Sequence, residues 1–262
     1  SHTIQATSPI KTTSGSLLPR NDLSDHLNPK LLHPGLHLGQ GQILRIYIPK
    51  EEWRGVATAL ATTIKRQHLK IISQLGALPP FSVELVLLDQ ASFHETTAAP
   101  SWAQAVCIKG RIYVPVGQSL NKLQASVRHE YVHALVYAVS GGRASAWIDE
   151  GLSLWFEGGQ EAAAAQRLRS WLERNPPVRL AEIQRTLVHL PEEKAKAAYA
   201  QSLFAVRDLM LTYGPRAFSH YFRRLATVKT PEAAFASAFG LPLSRFEQRL
   251  NIRLKKWVSS SR

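Results

Sequence analysis

At 262 residues the chain is long enough for one large domain or two modest ones, and either size buries a sizeable core. Its 45% hydrophobic and 19% charged residues are those of a globular protein, and its single cysteine, Cys107, excludes an intrachain disulfide and any multi-cysteine zinc site. A formal charge of +13 points toward anionic surroundings, and no apolar run reaches the roughly 18 residues that a membrane span requires.

Residues 1–40 are rich in Ser, Thr, Pro, His, Asn and Gly without a sustained period, which predicts a flexible or surface-clinging arm. Because the chain opens on Ser rather than Met, removal of an upstream segment is expected. His2, His26, His33 and His37 fall in this arm, too irregularly spaced for a metal tract. Residues 41–262 are expected to form one α+β domain, with a sheet subdomain over 41–140 and a helical subdomain over 141–262. The dense β-branched and aromatic run from Ile43 to Ile48 predicts a strand ended by Pro49. Glu51 to Leu75 carries helical spacing through Trp53, Val56, Leu60, Ile64, Leu69 and Ile72, closed by Gly76. Ser82 to Leu88 predicts a second strand, and Ala105 to Ile108 with Arg111 to Val116 a hairpin turning at Lys109 and Gly110.

The next helix carries the chemistry. Leu120, Leu123, Val127, Tyr131, Leu135 and Val139 recur at spacings of three and four, Asn121 and Gln124 suit a capping box, and Gly141-Gly142 is a stop. Inside it lies His129-Glu130-Tyr131-Val132-His133. Histidines four apart stand one above the other on one helix face and reach one metal ion, while Glu130, roughly 100° round, reaches a water beside it. The extended pattern H-E-x-x-H-x-x-G-x-x-H fails, because Val136 and Val139 stand where it needs Gly and His. Beyond the glycine pair, Trp147-Ile148-Asp149-Glu150-Gly151-Leu152-Ser153-Leu154-Trp155-Phe156-Glu157-Gly158 reads as a second short helix. The glycines would let it turn back, making Glu150 the candidate third ligand; two His, one Glu and a water are a catalytic zinc set. Glu150 also suits a helix-dipole acid. Asp149 either orients a ligand histidine or caps the helix, and Trp147, Trp155 and Phe156 read as core.

His129 and His133 together with Trp147 to Gly151 resemble the gluzincin superfamily, specifically the bacterial peptidase MA-like domains, distant relatives of thermolysin and the aminopeptidases. Lys109 to Gly117 resembles the strand those domains set above their cleft, and Ala198 to Ser202 with Tyr213-Gly214 their C-terminal helices. The likeness runs from about Ile43 to Trp257. It implies a zinc metallopeptidase, one Zn2+ per chain and a peptide or protein substrate. The aminopeptidase motif G-x-M-E-N is missing, the only methionine being Met210, so endopeptidase activity is expected.

After Glu150 strand signals stop. Glu161 to Glu173, Lys194 to Tyr213, Arg216 to Leu225, Glu232 to Phe239 and Ser244 to Val258 carry helical periodicity. The fold expected is a small N-terminal mixed sheet with a long helix, the metal helix at the junction, and a helical C-terminal lobe. In the chemistry expected, zinc on His129, His133 and Glu150 lowers the pKa of a water to about 7 and Glu130 acts as general base. The resemblance also implies an oxyanion donor from the helical lobe. Tyr199 is chosen, with His220 and His189 as rivals and an ordinary half-buried tyrosine as the plainer reading. An extended peptide is expected to pair with the edge of the strand from Arg111 to Val116. On the last helix Arg245, Arg249, Arg253 and Lys256 flank an apolar stripe of Phe246, Leu250, Leu254 and Trp257; this is a solvated face or an attachment to an anionic surface. The alternatives are an inactive domain that binds peptides or an anionic polymer, and a DNA-associated protease, which lacks an aromatic-plus-basic nucleic-acid motif in support. A periplasmic or cell-envelope location is expected over a cytoplasmic one.

Overall fold

The computed structural model describes residues 30–31, 35–99, 103–183 and 190–260. Among these residues a six-stranded sheet is made of β1 (Lys30–Leu31), β2 (Leu36–Gly39), β3 (Gln42–Ile48), β4 (Ser82–Leu88), β5 (Val106–Ile108) and β6 (Arg111–Pro115). The order is β1-β3-β4-β6-β5, with β2 also on β3. β3, β4 and β6 run parallel, while β1, β2 and β5 pair antiparallel with their neighbours. Each parallel pair needs a crossover, supplied by α1 (Arg54–Leu75) between β3 and β4 and by α2 (Gln90–Thr97) between β4 and β6. The sheet thus begins within residues assigned to the arm. His37 is an exposed residue of β2, while His2, His26 and His33 lie outside the described residues.

The two-residue period of β4 sorts its side chains. Val83, Leu85 and Leu87 enter the main core under the helices, and Val86 and Leu88 join Phe93 of α2 and Tyr113 of β6 on the other face. Apolar periodicity does not reveal α2; it is fixed by a cap, with the Asp89 carboxylate accepting from Ser92 N–H at 2.8 Å.

α3 (Leu120–Ser140) holds the motif on the main-core side, packed on α1 and β6. Its N-cap is Ser119, two residues ahead of Asn121 and without a side-chain cap bond, so the expected capping box does not form. Gly141 and Gly142 are left-handed (φ 60 and 72), and a Cβ on Gly142 would lie 2.7 Å from the Tyr137 ring. The chain then reverses into α4 (Ala146–Glu157) against α3.

Among the described residues six helices follow: α5 (Glu161–Leu172), α6 (Leu180–Ile183), α7 (Glu192–Tyr213), α8 (Arg216–Leu225), α9 (Pro231–Phe239) and α10 (Leu243–Ser260). Trp147 is fully buried, stacked on Phe246 at 5.9 Å, and Phe156 is buried too, so both are core. Trp155 is half-buried and donates to Gln74. α4 and α7 pack most closely where Gly151 meets Ser202; a Cβ on Gly151 would collide with the Ser202 carbonyl and the Val206 side chain.

Candidate metal centre

Helical spacing in α3 and the reversal at Gly141-Gly142 bring three donors together. His129, His133 and Glu150 each offer one ligand atom, and all of these lie within 4.8 Å of one another. All three are buried, Glu150 to 1% exposure. The two Nε2 atoms are 3.2 Å apart, and Glu150 Oε2 is 3.7 Å from His133 Nε2.

Each imidazole is held from behind by a carboxylate. His129 Nδ1–H donates to Glu157 Oε2 at 3.0 Å and His133 Nδ1–H to Asp149 Oδ1 at 2.9 Å. This turns both Nε2 lone pairs inward to the same point. Asp149 is therefore at an orienting position rather than at a cap, the N-cap being Ser145. Ser153 Oγ stands 3.2 Å from His133 Nδ1 and donates to the Asp149 carbonyl. Sequence reasoning did not single out Glu157, although it lies two turns beyond Glu150 on the same face of α4. Its end of α4 is tied to α1, where Lys70 Nζ and Gln67 Nε2 donate to the Phe156 carbonyl at 2.6 and 3.2 Å.

Glu130 is buried beside this set, and its Oε2 accepts the Cys107 backbone N–H at 2.8 Å. That donor is free because Cys107 sits opposite Ile112, one residue in from the bonded pair that closes the Lys109-Gly110 turn. Alternation of the antiparallel ladder turns its N–H and C=O away from β6. β6 lies between β4 and β5, so the edge expected of Arg111 to Val116 instead belongs to β5.

The fields of these groups oppose one another. Burial raises the pKa of Glu130, against the lowering pull of both histidines, and burial carries Glu150 up to about 7. Burial also works against charge on His133, yet Asp149, Glu150 and Glu130 outweigh it and lift its pKa to about 10. Carboxylates around two imidazoles thus demand positive charge between the Nε2 atoms. Two inward nitrogens and a carboxylate are a donor set for a borderline ion such as Zn2+, so these residues fit the metal.

Tyr199 is half-buried on α7, on the face it shares with Ser202 and Val206, the residues pressed against Gly151 next to Glu150. His220 is exposed on α8, apart from the buried set, and His189 lies outside the described residues.

An α+β domain with this histidine helix and returning acidic helix is of the metallopeptidase-like class. The chain belongs to the Peptidase MA superfamily, whose family profile matches residues 71–258. Solved structures similar to it include an M1 zinc metallopeptidase from Deinococcus radiodurans (17% identity, TM-score 0.47, covering 84% of this chain and 50% of that one). A mutant of that enzyme bound to a Tyr-Ser-Ala substrate is 20% identical, with a TM-score of 0.45 and the same coverage. The chain spans about half the length of these structures. No curated protein matches it.

Proposed function

We propose that the protein is a gluzincin-type zinc endopeptidase that uses His129, His133 and Glu150 as ligands, Glu130 as general base and Tyr199 as oxyanion donor. The observation that carries this reading is the buried Glu130 carboxylate, held by the Cys107 N–H beside three converging donors. A domain that only bound peptides would need no base there. When bound, zinc supplies Lewis-acid polarisation of the scissile carbonyl and lowers the pKa of a water to about 7.

The chain's own groups do the rest. With Oε2 engaged by Cys107, Glu130 has Oε1 for the proton of the attacking water, and its raised proton affinity suits a base that passes this proton to the departing amine. The Tyr199 hydroxyl donates to the carbonyl oxygen as charge gathers there. An extended peptide pairs with the outer edge of β5, where the Cys107 carbonyl faces away from β6. Unfolded substrates are therefore cleaved in preference to folded ones.

The test begins with zinc content after purification without added metal. About one zinc per chain is expected, and none in a His129→Ala, His133→Ala double variant. Glu130→Gln should keep the zinc and lose turnover of a peptide library by at least about a hundredfold. A parent that takes up no zinc even when it is offered sinks the proposal. Zinc without cleavage of any peptide leaves a binding domain, and unchanged turnover in Tyr199→Phe removes that residue from the chemistry.

A further inference from the structure

The C-terminal helix carries a surface that hydrolysis does not use. α10 buries Phe246, Leu250 and Leu254. On another face Arg245, Arg249, Ile252 and Lys256 follow at spacings of four, three and four, and all are exposed. Ile252 is 56% exposed, although the residues one turn to either side, Gln248, Arg249, Lys255 and Lys256, are polar or basic. The one acid of α10, Glu247, is engaged elsewhere, accepting the Leu180 N–H at 2.6 Å.

The end of α7 extends this surface. Arg253 meets Asp208 and Arg249 Nη1 donates to the Tyr213 hydroxyl at 3.2 Å, so α10 and α7 run antiparallel. Between those two contacts α7 presents Leu211, 69% exposed, with exposed Arg207 one turn before it. Two bare aliphatic side chains thus stand among at least four cationic ones.

We infer that this α7–α10 face docks the chain peripherally on an anionic phospholipid bilayer, with Leu211 and Ile252 entering the headgroup region and Arg207, Arg245, Arg249 and Lys256 facing lipid phosphates. Bases alone would suit a nucleic-acid backbone equally well. Exposed aliphatic groups gain nothing from phosphates in water, whereas burial at a lipid interface rewards them. Among the described residues, no helix is long and apolar enough to cross a membrane.

Sedimentation with vesicles tests this on the full chain. It should pellet with phosphatidylcholine–phosphatidylglycerol vesicles and not with phosphatidylcholine alone. Arg245→Gln with Lys256→Gln should weaken binding about thirtyfold, and Leu211→Ser with Ile252→Ser at least about tenfold. Lys65→Gln with Arg66→Gln, which removes the same charge beside exposed Leu69 of α1, should change it by less than about twofold. Ile252→Trp should tighten binding to the anionic vesicles, with no pelleting when vesicles are left out and with the parent's thermal melt. Equal losses from the α1 pair, full binding by the serine double variant, no gain from Ile252→Trp, or duplex DNA held more tightly than the anionic vesicles would each overturn the inference.

Discussion

At the scale of single residues, Gly151 and Glu130 show two ways in which one atom decides the site. Gly151 occupies an ordinary helical position, yet its missing Cβ lets α7 come close enough to press Ser202 and Val206 against α4 beside Glu150. Gly151→Ala is therefore expected to destabilise the fold by about 1–3 kcal/mol through overpacking against backbone, and to reduce zinc retention in the same preparation. Gly55→Ala, in open space on α1, should be neutral or stabilising by about 0.5 kcal/mol; a thermal melt of both separates a local clash from a general cost of alanine. Gly151 closes the Trp147-to-Gly151 motif in the sequence, but the physical reason for it is not legible there, because the obstacle is Ser202 and Val206 of α7. Glu130 differs: its place beside His129 is legible from the motif, but the Cys107 N–H that holds it comes from a strand edge.

At the scale of elements, α3 is held from two sides. On one side Asp149 and Glu157 of α4 grip the two imidazoles. Asp149→Asn or Glu157→Gln should weaken zinc binding by about 10–100-fold, measured by competition with a chromophoric chelator, while leaving the helices folded. On the other side His68 of α1 meets the Tyr131 hydroxyl through Nδ1 at 2.8 Å, both buried. Burial lowers the pKa of His68 from 6.5 to about 4. The unfolded chain takes up this proton as pH falls through 6.5 and the folded chain only near 4, so His68 withdraws stability across that window as acid is added. The loss approaches about 2–3 kcal/mol at its lower end. In denaturant titrations, His68→Gln should flatten this acid limb; a variant with the parent's pH dependence would show that other groups set it.

At the scale of the whole molecule, metal and fold are linked. The three donors come from two helices, and a third helix binds the Phe156 carbonyl next to Glu157. Zinc held by the folded chain alone raises stability by about 2.7 kcal/mol when its free concentration is a hundred times Kd. For a chain of this size that corresponds to a rise in Tm of roughly 5–10 °C. Calorimetry with and without a chelator measures it, and an unchanged Tm would mean that the donors do not close on an ion. The same experiment on the His129→Ala, His133→Ala variant should show no chelator effect.

Much of the architecture was legible because it rests on local rules. The period of α3, the glycines after it, the short strands of β4 and β6 and the helical C-terminal half follow from spacing, branching and turn residues that act within a few positions. So did the pairing of His129 with His133, which is helix geometry, and Glu150 as their partner across one turn. Tertiary structure alone decided which strand has a free edge, since that depends on sheet order and places β5 outside β6. It also decided that Leu36–Gly39 leaves the expected arm to pair with β3, that Glu157 rather than a nearer acid holds His129, and that Asp149 serves His133 instead of capping α4. Helix and turn preferences are properties of neighbouring residues, whereas a hydrogen bond spanning 28 positions, or a contact tolerating no Cβ, exists only once distant segments pack.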